Sequence, residues 1–109
     1  MPLTKEQLDI STRNIYTALD VLGGKWKIKI LGQVYFHKKL RFNDLIKAIP
    51  GISNKVLSQQ LKELERDGIV LKEESQDESK IVFYMLSKKG NSINPILTAL
   101  CNWAGDNYY

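Results

Sequence analysis

The chain has 109 residues, 43% of them hydrophobic and 26% charged, a globular rather than disordered composition with room for one domain over residues 1–109. No apolar run approaches the ~20 residues of a membrane-spanning helix, and Met1-Pro2-Leu3-Thr4-Lys5-Glu6 lacks the basic stretch and apolar segment of a secretory leader, so no membrane partner is expected. The net charge of +4 is unevenly spread: between Leu22 and Lys62 stand Lys25, Lys27, Lys29, Lys38, Lys39, Arg41, Lys47, Lys55 and Lys62 against the single acid Asp44, and the remainder is net acidic. Such an asymmetry is the footprint expected for a polyanion, although a solvated basic face without a partner has the same composition.

Ile15, Ala18, Leu19 and Leu22 recur at helical spacing and predict a first helix over about 12–22, ended by Gly23-Gly24. A second helix is expected over 25–36, with Trp26, Ile30 and Val34 on one face. His37-Lys38-Lys39 is a polar connection, Leu40-Arg41-Phe42 has the makings of a brief strand, and Asn43 is the expected N-cap of a short helix through Ile49. After the turn Pro50-Gly51-Ile52, Ser53 is the expected N-cap of a helix over 54–67, and Gly68 is its C-terminal stop. Residues 69–74 and 81–86 are β-rich and flank a polar loop, which predicts a hairpin. Ser87 is the expected N-cap of a last helix over about 88–107, with Ile93, Ile96, Leu97, Leu100, Trp103 and Ala104 on one face. Pro95 is tolerable there only in a first turn or at a kink.

Two short helices joined by a tight turn and followed by a hairpin make a winged helix–turn–helix, mainly α with a small β-hairpin. The core is expected over about 24–86, flanked by terminal helices that carry their own apolar stripes. In the helix after Ser53, Leu57, Leu61 and Leu64 point inward, which leaves Lys55, Ser58, Gln59, Lys62 and Arg66 on the other side. Lysine meets phosphate or guanine, glutamine pairs with adenine through two hydrogen bonds, and serine serves base or phosphate. Asn54, Lys55, Ser58 and Gln59, at the end that enters a major groove, are the candidate base readers, and Lys62 is a candidate phosphate contact. Arg66 lies further back and is as well suited to pairing with a nearby acid. Ser53 caps its helix with or without DNA, and the free N–H groups there also suit a phosphate. Lys25 and Arg41 are phosphate candidates for which a plain solvated or structural role is equally open. Lys80, at the end of the wing, is a candidate for the minor groove or backbone, weighed against the acidic Glu73, Glu74, Asp77 and Glu78.

No catalytic constellation is present in the sequence. His37 is the only histidine and has no ligand spacing with Cys101, no phosphate-cradling glycine loop occurs, and no nucleophile–base pair stands out. No enzyme and no cofactor is therefore expected. Cys101, the single cysteine, cannot form an internal disulfide, which fits a reducing cytoplasm, and it suits a small packed hydrophobe better than a sensor.

The segments Ala18-Leu19-Asp20-Val21-Leu22-Gly23-Gly24-Lys25-Trp26, Arg41-Phe42-Asn43-Asp44-Leu45, the run from Pro50 to Gly68, and Tyr84-Met85-Leu86-Ser87-Lys88-Lys89-Gly90 with the late Trp103 carry a further signal in their order and spacing. Together they resemble the HxlR-type regulators, winged-helix transcription factors akin to the MarR group, over about residues 13–103. The resemblance implies a homodimeric regulator that binds double-stranded DNA, with the first and last helices as the dimer interface: Ile15, Leu19, Leu22, Ile96, Leu97, Leu100 and Trp103. Many such regulators carry a sensing cysteine early in the first helix, where this chain has Arg13, and a Pro-Pro-Arg-type approach to the second wing strand, where it has Ser79-Lys80-Ile81. The leading expectation is sequence-specific binding at a palindromic operator. The alternative is a winged-helix module that binds another protein. A small-molecule effector is an open partner whose chemistry no residue identifies.

Overall fold

The computed structural model describes residues 2–109. Its elements are α1 (Lys5–Leu22), α2 (Lys27–His37), β1 (Lys39–Leu40), α3 (Phe42–Ala48), α4 (Asn54–Arg66), β2 (Val70–Glu74), β3 (Val82–Leu86), α5 (Lys88–Asn91) and α6 (Asn94–Tyr108). The three strands form an antiparallel sheet in the order β1-β3-β2. Val70 pairs with Leu86 and Glu74 with Val82, while Leu40 of β1 pairs with Tyr84 on the other edge of β3. Through the hairpin the order of elements is the one expected, and the architecture is a winged helix–turn–helix.

The helix–turn–helix owes its shape to local chemistry. Gly51 takes φ 85° in the turn between α3 and α4. Ser53 then caps α4: its hydroxyl accepts the Val56 N–H at 3.1 Å. At the other end Gly68 adopts φ 74°. This lets its N–H reach the Glu65 carbonyl and the Ile69 N–H reach the Leu64 carbonyl at 2.9 Å, the paired bonds of a Schellman stop. Leu64 and Ile69 are both buried, so the stop also closes an apolar contact and feeds the chain into β2.

Boundaries differ from expectation at several places: α2 begins at Lys27 rather than Lys25, and four further differences stand out. First, α1 begins at Lys5 rather than near residue 12, because Thr4 and Gln7 form a capping box: Gln7 N–H donates to Thr4 Oγ1 at 3.1 Å and Thr4 N–H to Gln7 Oε1 at 2.8 Å. Second, α3 is capped at Arg41, not Asn43. The Asp44 carboxylate accepts the Arg41 N–H at 3.1 Å, half of a capping box, since arginine has no acceptor to return the bond. Third, the brief strand lies at Lys39–Leu40 rather than 40–42. Fourth, the expected last helix is two helices. Ser87 caps only the single turn of α5, and α6 starts afresh with Pro95 in its first turn. Pro95 has no N–H to give the Asn91 carbonyl, so the ladder cannot run through it. Ile93 thereby leaves the α6 stripe and is buried in the core.

The core gathers Ile30, Leu31 and Val34 of α2, Leu45 of α3, Leu57, Leu61 and Leu64 of α4, and Val70, Tyr84 and Leu86 of the sheet. Neither α1 nor α6 contributes a buried residue. The radius of gyration is 16.3 Å, against about 13 Å for a compact chain of this length, and the long dimension is 60 Å. The terminal helices are therefore held by their ends and leave most of their surface open.

Candidate nucleic-acid interface

The geometry of α4 follows from its sequence. With Leu57, Leu61 and Leu64 fully committed to the core, the side chains of Lys55, Gln59, Lys62 and Arg66 line one exposed stripe. Asn54 is exposed beside its start, and Ser58 is half-buried at the stripe's edge. Among the described residues, no carboxylate forms a salt bridge with Lys55 or Lys62. Arg66 is engaged by its neighbour: its Nε lies 3.3 Å from Asp67 Oδ1, and that hydrogen bond pushes the guanidinium pKa up. The free positive charge of the stripe is thus carried by Lys55 in the first turn and Lys62 two turns on.

The basic run divides into three groups. Lys25 and Lys29 flank the half-buried Trp26, with their ammonium groups 4.8 and 5.2 Å from the ring centroid, so that one indole carries two exposed cations. Lys39 reaches across the sheet to Glu73 at 3.9 Å, and Arg41 is shared with Asp44 at 3.5 Å. The Asp44 carboxyl is held below the ordinary carboxylate range, chiefly by the Arg41 N–H that it accepts. Lys27 does not belong to the surface run at all. It is buried, 6% exposed, and its ammonium lies 3.6 Å from Glu63 Oε1 of α4. Counting lysines along the chain therefore overstates the surface footprint by one.

The wing is the β2–β3 hairpin. Its tip is organised by Asp77, which accepts from the Ser75 hydroxyl and from the Ser79 N–H and hydroxyl; the Ser79 hydroxyl contributes most to lowering its pKa. Lys80 follows in the left-handed region at φ 50°, exposed at the end of the wing. The acids around it leave it one cation among several carboxylates.

On α1 and α6, Ile15, Leu19, Ile96, Leu100 and Trp103 are all exposed, whereas Leu22 and Leu97 lie half-buried against their own core. Leu8, Ile10, Tyr16 and Tyr108 are exposed as well. Leu8 and Ile10 sit on turns of α1 ahead of the start expected near residue 12; the Thr4–Gln7 capping pair is the signal that finds them. A cleft of about 350 Å³ between α1 and the α5–α6 junction, lined by Thr17, Ala18, Val21, Ile69, Ile93 and Ile96, continues the same surface. His37 and Cys101 are both exposed and far apart in role: one ends α2 and the other stands on α6.

The family model for HxlR-like helix-turn-helix proteins matches residues 21–109. The chain belongs to the HxlR-like helix-turn-helix family. It is 40% identical over 85 residues to the HTH-type transcriptional regulator YdzF of Bacillus subtilis (strain 168), covering 78% of each protein. The crystal structure of the HTH-type transcriptional regulator YtcD matches with a TM-score of 0.77 and 38% identity, over 84% of this chain and 93% of that one. A MarR-family regulator from Enterococcus faecalis V583 matches with a TM-score of 0.76 and 30% identity, over 97% of this chain and 90% of that one. Members of this family are transcriptional regulators rather than enzymes, and a helix–turn–helix regulator of this kind acts by binding DNA. Among the described residues, no helix is long and apolar enough to cross a membrane.

Proposed function

We propose that this HxlR-like chain, as one domain, binds double-stranded DNA sequence-specifically as a homodimer, at a palindromic operator in the cytoplasm of a bacterial cell. The observation that carries the reading is the exposed stripe Lys55, Gln59, Lys62 and Arg66 on a helix whose opposite face is locked into the core. Lys55 and Gln59, with Asn54 and Ser58 beside them, meet base edges where α4 enters the major groove. Lys62, Arg41, Lys25 and the α4 N-terminus at Ser53 meet phosphates, and Lys80 carries the wing to the neighbouring backbone or minor groove.

The dimer follows from surface chemistry. A chain of about this size buries only a modest share of its surface, and α1 and α6 leave large apolar side chains open. Covering Ile15, Leu19, Ile96, Leu100 and Trp103 across a two-fold axis, with Leu22 and Leu97 at the margin, removes them from water and sets two α4 helices on one side of a duplex. The experiment is selection of bound duplexes from a random library. Enrichment of an inverted repeat with half-sites about 34–36 Å apart, or a multiple of that spacing, supports the reading. A pool without sequence enrichment contradicts it.

A further inference from the structure

We propose that Lys27 is a positioning residue for DNA recognition: its buried ion pair with Glu63 fixes the rotation of α4, and so sets where the outward side chains of that helix meet the bases. The proposal rests on the reading that α4 reads base edges.

Lys27 is the only buried charged side chain among the described residues. It opens α2, and its ammonium lies 3.6 Å from Glu63 Oε1, with the two side chains 7% and 30% exposed. The other carboxylate oxygen of Glu63 accepts from Gln60 Nε2 at 3.2 Å. Both oxygens of one carboxylate are thus held, one by α2 and one from within α4. Glu63 and Gln60 each follow directly on a member of the outward stripe, Lys62 and Gln59, so the anchor and the reading face belong to the same turns.

A buried ion pair is a poor way to add stability, because the desolvation of two charges offsets their attraction, and apolar residues of equal volume do as well or better. What the pair adds is direction. The other residues that α2 and α4 bring to the common core, Ile30, Leu31 and Val34 from one and Leu57, Leu61 and Leu64 from the other, are aliphatic, and the attraction among them is non-directional. The packed leucines already limit the rotation of α4, and the contact on its flank sets the small angle that remains. A rotation of about 10° moves a side chain at the helix's ~5–6 Å outer radius by about 1 Å, more than the width of the hydrogen-bond distance window. On the opposite flank Lys72 approaches Glu65 at 3.9 Å, but that lysine is half exposed and gives a looser hold.

The test separates positioning from plain stability. Lys27→Met, Lys27→Arg and the double replacement Lys27→Met with Glu63→Leu are compared with wild type in thermal melts, and in anisotropy titrations against the library-selected duplex and a scrambled duplex. Lys27 is buried, so its replacement removes no DNA contact. The expected result is a double variant that melts at or above the wild-type temperature, binds scrambled duplex as wild type does, and loses about tenfold or more of its discrimination. Lys27→Arg retains most of that discrimination. A double variant that discriminates like wild type overturns the proposal, as does discrimination that simply follows melting temperature across the series. If the double variant does not fold, Lys27→Met and Lys27→Arg decide the matter by the same comparison. A wild-type protein that does not discriminate between the two duplexes defeats the base-reading account itself, and is thereby distinguished from failure of the ion-pair proposal alone.

Discussion

Trp103→Ala probes the proposed two-fold association of α1 and α6. The indole is 59% exposed, so of the ~250 Å² that a tryptophan offers, about 150 Å² stands open on each protomer. It is braced by Tyr108, whose ring centroid lies 5.5 Å away, and it has no part in the core. If a partner covers about half of that open area, roughly 75 Å² per protomer leaves water, worth about 2 kcal/mol at ~25 cal/mol per Å². The symmetric dimer loses the contribution twice, about 4 kcal/mol, or roughly a thousandfold in the dimer dissociation constant. The translational and rotational cost of association is common to wild type and variant and cancels in this difference. Sedimentation equilibrium across a wide concentration range measures the shift, and circular dichroism checks that the fold is retained. Operator affinity falls with dimer affinity although α4 is untouched. A wild-type protein that is monomeric at micromolar concentration refutes the reasoning, and so does a Trp103→Ala dimer as tight as wild type.

Three further outcomes are expected. Gln59→Ala costs about 1–3 kcal/mol per half-site on the selected duplex and relaxes the preference at one position of each, whereas Lys62→Ala weakens every duplex alike and lowers the salt slope by about 2, one contact per protomer; identical effects on specific and random DNA would show the division of labour to be wrong. Ser53→Ala removes the hydroxyl that accepts the Val56 N–H and lowers stability in urea unfolding by about 1 kcal/mol; an unchanged midpoint would mean that the cap is idle. Cys101→Ser, which exchanges one atom of an exposed side chain on α6, leaves DNA affinity and its response to mild peroxide unchanged; loss of a peroxide response in the variant would give that thiol a sensing role.

The parts of the fold written in neighbouring residues were legible. Ser53, the leucines at 57, 61 and 64, and Gly68 define α4 within sixteen positions, and cap, stripe and stop all stand where that pattern puts them. Pro95 was legible as a problem, with first-turn and kink solutions equally open. The structure takes the first, and the break then sends Ile93 into the core rather than onto the α6 face. The cap of α3 was misplaced because Asn43 is the better capping residue by type, while the carboxylate of Asp44 reaches back to the Arg41 N–H. Lys27 was not legible. It sits in a run of lysines, and its partner Glu63 lies more than thirty positions away on another helix, a proximity that only the packed core creates. The exposed terminal helices, by contrast, follow from arithmetic on the chain: their apolar stripes exceed what a small winged core can cover.

The most direct test of the central claim, that the Lys55–Arg66 face of α4 docks on DNA, is a fluorescence anisotropy titration of the selected duplex at several salt concentrations. In the proposed dimer, two α4 faces with Lys25 and Arg41 of each protomer would give roughly 6–10 phosphate contacts, so affinity should fall by about 10³–10⁵ between 50 and 200 mM salt. An affinity that is nearly independent of salt would contradict the account.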